Sequence, residues 1–318
     1  MVLSKELRAI VPHHPIISRF KPFHGEVPGG YILDGFLGTI VREECTPGVA
    51  DPEPSTVCAP YPQVDEDYFE WIDLLESVVS SGGSYTMIEL GAGMGRWSVR
   101  AALAARQFKP GMPFHLIAVE ADPAHFDWLR SHFLDNGIDP KEHQLINAAV
   151  SDMPGQVQLC IRGPEGGNCD LQPNEWYGQF LTKDIEFASE LEGQGLYEGS
   201  KVKVHQNGWK SVAVPSVTLT SILKELRYVD LVDVDIQGEE LNVIASAMDE
   251  LDAKVQRLHI GTHRLDIETG LRELLSSHGW RCQTDYSVGT TEETPWGRIN
   301  FQDGVQGWVN QKLGSESI

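Results

Sequence analysis

Apolar positions along the chain follow two rhythms. Short apolar runs recur at Tyr85 to Ile88, His115 to Glu120, Leu145 to Val150, Val229 to Val234 and Val255 to Ile260. Between them, apolar residues return at helical spacing. The clearest case is Asp65 to Val79, with Phe69, Ile72, Leu75 and Val79 on one stripe and acids in the first turn, where a helix dipole favours them. Further helices are expected after Gly95 to about Gln107, over Ala124 to Asn136 with Gly137 in the C′ role, over Val217 to Leu226, Glu239 to Met248 and Ile267 to His278. Strands alternating with helices predict a mostly parallel α/β sheet. Trp280 to Tyr286 and Gly304 to Asn310 lie beyond the last helix and read as a closing antiparallel pair.

Three stretches break the rhythm. Residues 1–64 form a lead rich in proline and glycine, with a strand pair expected around Tyr31 to Val41; it reads as a lid, a subunit contact in a homo-oligomer or a mobile arm. Its His13, His14 and His24 lack a matched acid or cysteine and read as surface histidines. After an extra strand at Gln156 to Arg162, the polar segment 163–211 carries Asn168, Trp176, Tyr177 and Trp209 and reads as a substrate-side insertion. Thr290 to Asn300, with Trp296, is a loop that offers a second pocket wall.

The stretch Met87 to Arg100, MIELGAGMGRWSVR, organises the rest. A strand leads into Glu89, then Gly91, Gly93 and Gly95 on alternate positions, then a helix. Such a strand, glycine turn and helix opens a nucleotide-binding α/β unit, because backbone must approach the ligand closely. The spacing is G-x-G-x-G, not the dinucleotide G-x-G-x-x-G. An acid two residues before the first glycine repels a pyrophosphate but suits a cationic amino-acid moiety such as that of S-adenosylmethionine. One unit later, HLIAVEADP ends its strand on Glu120, placed to accept hydrogen bonds from a ribose diol, and Asp122-Pro123 reads as N-cap and N1 of a helix. The end of the third strand, Ala149 to Asp152, is placed to meet an adenine.

Composition narrows the partners. With 25 Lys and Arg against 46 Asp and Glu, the net charge of -21 disfavours nucleic acids and anionic membranes and favours neutral or cationic small molecules. Five cysteines without a C-x-x-C pair read as free thiols of a reducing cytoplasm. No run is long and apolar enough for a signal peptide core or a membrane span.

Val229 to Leu241, VDLVDVDIQGEEL, places Asp233 and Asp235 on one face of a strand. Asp235, nearest the carboxyl end, is expected beside the reacting centre, and Asp233 reads as structural. His263 follows the next strand in a glycine-containing loop. It is a candidate general base, or with Asp235 a ligand for Mg²⁺ or another divalent ion.

These residues resemble the FkbM family of S-adenosylmethionine-dependent methyltransferases. The resemblance runs over roughly Tyr85 to Gly279. It rests on IELGAGMG, on VEADP, on NAAVSD with Gly155 after it, and on SVTLTSIL followed by VDLVDVDIQGEELNVI. It implies a class I methyltransferase fold, a Rossmann-like seven-stranded sheet with one antiparallel strand over residues 65–318. It also implies O-methylation of a small-molecule hydroxyl on a sugar or natural product. The implied cofactor site is Glu89, Gly91, Ala92, Gly93, Gly95, Trp97, Glu120, Ala121, Ala149, Val150, Ser151, Asp152 and Asp235, with Asp235 and His263 as catalytic candidates. Where the family carries a lysine before the motif's aspartate this chain has Asp233; Gln237 replaces a glutamate, and Thr220 replaces an acid. Two other classes stay open: a non-catalytic binding or scaffold protein that keeps the fold, and an NAD(P)-dependent oxidoreductase, against which the glycine spacing and Glu89 argue.

Overall fold

Seven apolar runs become one sheet in the computed structural model, which describes residues 13–45, 48–162, 180–181, 190–205 and 208–313. In chain order its strands are β1 (Tyr85–Leu90), β2 (Phe114–Glu120), β3 (Gln144–Asn147), β4 (Leu231–Val234), β5 (Arg257–Thr262), β6 (Trp280–Tyr286) and β7 (Gly304–Asn310). They lie side by side as 3-2-1-4-5-7-6. All neighbours are parallel except β7, which runs antiparallel to both β5 and β6. The order reverses between β1 and β4, so the crevice at their carboxyl ends is where a ligand of such a sheet binds.

Both faces are covered, which is why the inner strands read as near-continuous apolar runs. Met87, Leu116, Ala118 and Leu231 point toward α1 (Asp67–Ser80), α2 (Arg96–Phe108) and α3 (Pro123–Asp135). Ile88, Ile117, Val119, Val232 and Ile260 point to the other face. There they meet α4 (Leu219–Lys224), α5 (Glu240–Ser246), α6 (Met248–Lys254) and α7 (Leu265–Ser277). The two core clusters follow directly from the period-2 alternation of side chains along a strand. Among the described residues no helix is long and apolar enough to cross a membrane.

Four expectations about local structure are corrected. The third run splits: 144–147 joins the main sheet, whereas Ala149–Val150 crosses over and pairs parallel with 216–217. Much of the expected insertion is also strand. Gly155–Arg162, 180–181, Glu190–Tyr197, Ser200–His205 and Lys210–Val217 form a second sheet with antiparallel pairing. Asn168, Trp176 and Tyr177 lie outside the described residues. The helix expected over Glu239 to Met248 breaks at Ala247 into α5 and α6. Finally, Thr290 to Asn300 is a hairpin, 290–294 against 297–301, and Trp296 packs on Phe69 and Tyr68 and not on the cavity.

The described part of the N-terminal lead packs on the helices. Its expected strand pair forms as Tyr31–Leu33 against Ile40–Arg42. Arg42 makes a forked pair with Asp135 at 2.7 and 3.0 Å, and Asn136 bonds both backbone groups of Ile40 at 2.9 Å. Asp34 reaches Arg96 and Arg100 at 3.3 Å. The Arg100 guanidinium lies against the Trp71 and Trp97 rings, 4.8 and 4.2 Å from their centroids. No described residue of this lead lines the cavity.

Candidate active site

The cavity opens at the crevice between β1 and β4 and measures about 270 Å³. Its floor is the glycine turn. Gly91, Gly93 and Gly95 take φ of 78°, 53° and 73°, the left-handed region that a side chain disfavours. At Gly91 a second reason applies, because a β-carbon there would overlap the carbonyl oxygen of Asp235. The N–H groups of Gly91 and Ala92 both bond the Val119 carbonyl, at 3.0 and 2.9 Å, which ties the turn to the end of β2.

Glu89 is buried and does structural work as well as lining the cavity. Gly95 occupies the N-cap position of α2 and has no side chain to offer. Glu89 replaces it from the preceding strand, accepting the N–H groups of Trp97 at 3.1 Å and Ser98 at 2.9 Å. Burial, with Asp233 nearby, pushes its carboxyl up to about 8, against the opposing pull of those hydrogen bonds.

Glu120 faces the turn from β2. One oxygen accepts the Gly93 N–H and the other the Asp122 N–H, both at 2.7 Å. Burial raises its pKa to about 8. Asp122 in turn caps α3 through Ala124 and His125 and accepts the Tyr197 hydroxyl at 2.8 Å. The chain therefore needs Asp122 for the helix and leaves Glu120 to the cavity.

Of the expected cofactor residues, Gly91, Ala92, Gly93 and Trp97 line the cavity with Glu89, Glu120 and Ala121. Ala149, Val150 and Asp235 complete the set that the fold brings together. Gly95, Ser151 and Asp152 do not line it. A β-carbon on Gly95 would run into Leu129 of α3, so that glycine is needed for helix packing. Ser151 donates to the Asp152 carboxylate at 3.1 Å, and Asp152 is exposed.

Asp235 lies one residue past the end of β4, its side chain 57 % exposed. Gln237, two residues on, is held at φ 54°, which turns its amide back toward Asp235 (3.1 Å) and the His263 Nε2 (2.8 Å). Glu240, fully buried at the start of α5, takes the other ring nitrogen of His263 at 2.8 Å. Burial opposes a charge on this ring, but hydrogen bonds to Asp235 and Glu240 outweigh it and push its pKa up to about 10. As an imidazolium the ring gives its Nε2–H to Asp235 at 3.3 Å, with the Gln237 amide turned to present its oxygen, and has no lone pair to take a proton. With both nitrogens engaged, the ring has none free for an ion either, so the geometry does not favour the expected base and ligand roles of His263.

Several site residues were not anticipated. Glu70 and Asp73 of α1 fall within the expected helix Asp65 to Val79, where the pattern assigns the acids no role beyond favouring the helix dipole. Instead Asp73, 2 % exposed, bonds Arg257 at 2.9 Å and His259 Nδ1 at 2.8 Å, with Arg257 also paired to Glu76 at 2.8 Å. Burial opposes protonation of His259, but the Asp73 carboxylate raises its pKa above the ordinary value. Glu70 lies within hydrogen-bonding reach of Asp233, and burial next to that second acid holds Glu70 well above the carboxylate range. The one sequence signal for this was the spacing of Asp67, Glu70 and Asp73 by threes, which puts them on one stripe of a helix.

Residues 89–279 match the methyltransferase FkbM domain, more than half of the chain. A protein of Jannaschia sp. (strain CCS1) named "Putative methyltransferase" is 28% identical over 264 residues, covering 82% of this chain and 86% of its own. Among solved structures, the precorrin-6y C5,15-methyltransferase of Geobacter metallireducens GS-15 is 13% identical, covers 75% of this chain and 85% of its own, and superposes with a TM-score of 0.38. A protein of the NADB-Rossmann superfamily from Streptococcus agalactiae is 8% identical over 80% of this chain and 71% of its own, at a TM-score of 0.40. At such scores the superpositions carry no argument about function. The family match does: this chain belongs to the FkbM methyltransferase family.

Proposed function

We propose that the protein transfers a methyl group from S-adenosylmethionine to a hydroxyl of a small molecule, such as a sugar or natural product. The observation that carries this reading is the acidic lining of the cavity. Glu89, Glu120, Asp233 and Asp235 face it from three neighbouring strands, and Arg96 is the one arginine or lysine among its described lining residues. That wall suits a sulfonium and an ammonium, whose positive charge draws the buried Glu89 and Glu120 carboxyls, otherwise held up at about 8, into the carboxylate form; the pyrophosphate of a nicotinamide dinucleotide gains nothing there.

When bound, S-adenosylmethionine supplies a methyl group on a positively charged sulfur. Gly91 to Met94 give it close backbone approach. Each Glu120 oxygen accepts one backbone N–H and keeps lone-pair capacity for a ribose hydroxyl. Ala149 and Val150 offer an apolar wall to the adenine. Asp235, placed by Gln237 and His263, accepts the hydrogen bond of the acceptor hydroxyl and takes its proton as the oxygen becomes a nucleophile. In this scheme His263 holds Asp235 in position and is not itself the base. Most of the rate enhancement comes from holding acceptor and methyl group at near-attack distance.

The experiment is transfer of labelled methyl from S-adenosylmethionine to a panel of hydroxylated small molecules. Wild type labels at least one of them, and Asp235→Asn, which still binds the cofactor, lowers kcat by roughly 10²–10⁴-fold, the usual worth of a positioned proton acceptor. Labelling of amine-bearing acceptors alone would overturn the hydroxyl assignment. No transfer by a chain that binds the cofactor would support the scaffold alternative.

A further inference from the structure

Glu70 of α1, Asp233 of β4 and His259 of β5 meet on the cavity wall, with one donor atom of each lying within 4.8 Å of the others. Asp233 and His259 are register partners on adjacent strands, so the sheet fixes their separation. His259 is 4 % exposed, and its Nδ1 is engaged by the Asp73 carboxylate at 2.8 Å. Its other nitrogen, Nε2, makes no hydrogen bond to any described residue. A buried histidine beside two acids, oriented by a carboxylate on one nitrogen and unbonded at the other, is the arrangement of a metal-bound imidazole.

We propose that Glu70, Asp233 and His259 bind a divalent transition-metal cation, with Asp73 as the carboxylate that orients the histidine. Two carboxylates and one imidazole form a mixed oxygen and nitrogen set, which fits Mn²⁺ or Zn²⁺ better than Ca²⁺ or Mg²⁺. Around such an ion the three donor atoms draw in to ~3.0–3.5 Å of one another, the spacing of neighbouring ligands at bonds of ~2.1 Å. A single proton shared by Glu70 and Asp233 would satisfy the acids and leave Nε2 without a partner; an ion satisfies all three. Its remaining coordination positions face the cavity that Asp235 also lines. This site is separate from the Asp235 and His263 pair and does not depend on the methyl-transfer reading.

The test uses the full chain, stripped with a chelator and free of any organic ligand. Mn²⁺ is titrated in, with loss of the free-ion electron paramagnetic resonance signal as readout, and Zn²⁺ is then used to compete. The expected result is one ion per chain, with affinity lowered at least tenfold in Glu70→Gln and His259→Gln. Asp73→Asn is expected to weaken binding ~10–100-fold. Asp235→Asn and His263→Gln are expected to bind as wild type does. Should His259→Gln or Asp73→Asn fail to fold by circular dichroism, the half-buried, isosteric Glu70→Gln decides. Binding of neither ion by wild type, equal binding by folded Glu70→Gln, or loss of binding in Asp235→Asn would each overturn the proposal. None of these results bears on cofactor binding, which is measured apart.

Discussion

The carbonyl oxygen of Asp235 rests against the α-carbon of Gly91, where a β-carbon would overlap it. Asp235 also donates its N–H to the Leu90 carbonyl at 2.9 Å. The glycine turn after β1 and the acid after β4, two motifs 144 residues apart in the chain, are thus one construction.

Gly91→Ala strikes that construction twice. It places a side chain at φ 78° and drives it into backbone that has no flexible end to move. The left-handed conformation alone costs roughly 1–2 kcal/mol. The overlap adds to this, so a total loss above ~2 kcal/mol is expected in urea unfolding. Gly82→Ala, where nothing stands within 4 Å, should change stability little.

The N-terminal lead is held by charge. Arg100 is 4 % exposed, and Asp34→Ala leaves its guanidinium buried against two tryptophans without its hydrogen-bonded carboxylate. Breaking a buried pair from one side typically costs ~3–5 kcal/mol. We expect a loss toward the lower end, because the tryptophan faces continue to hold the cation. Limited proteolysis should then cut within residues 13–62 of Asp34→Ala while wild type resists.

His263 makes stability fall with pH. Burial opposes its charge, yet Asp235 and Glu240 raise its pKa from 6.5 to about 10. Between those values the folded ring holds a proton that the unfolded ring has lost. Its contribution is therefore full below about pH 6.5 and disappears as pH rises through about 10. Unfolding of wild type and His263→Gln should differ most at pH 6 and converge toward pH 10. A difference that grows with pH would contradict the assignment.

The sheet was legible because its strands are buried on both faces. Tyr85–Leu90 and Phe114–Glu120 are apolar enough to be read without knowing their neighbours, and the glycine spacing after the first reports a backbone constraint. The second sheet was not, since Lys210–Val217 buries only part of its length and pairs with a segment some fifty residues earlier. Glu70 and Glu240 were missed for a related reason. Each looks like a solvated acid at a helix start, and only Asp233, His259 and His263, brought in by the fold, make it a site residue. His263 was read as a base or ligand without Glu240, which the fold brings to its Nδ1 at 2.8 Å.

Binding of S-adenosylhomocysteine, measured by calorimetry on wild type and Glu120→Ala, tests the central assignment most directly. Wild type should bind one molecule per chain. Loss of hydrogen bonds to a charged acceptor, worth ~1.5–3 kcal/mol, should weaken Glu120→Ala roughly 10- to 150-fold. No binding by folded wild type at millimolar ligand, or equal affinity in the variant, would contradict the cofactor site described for this cavity.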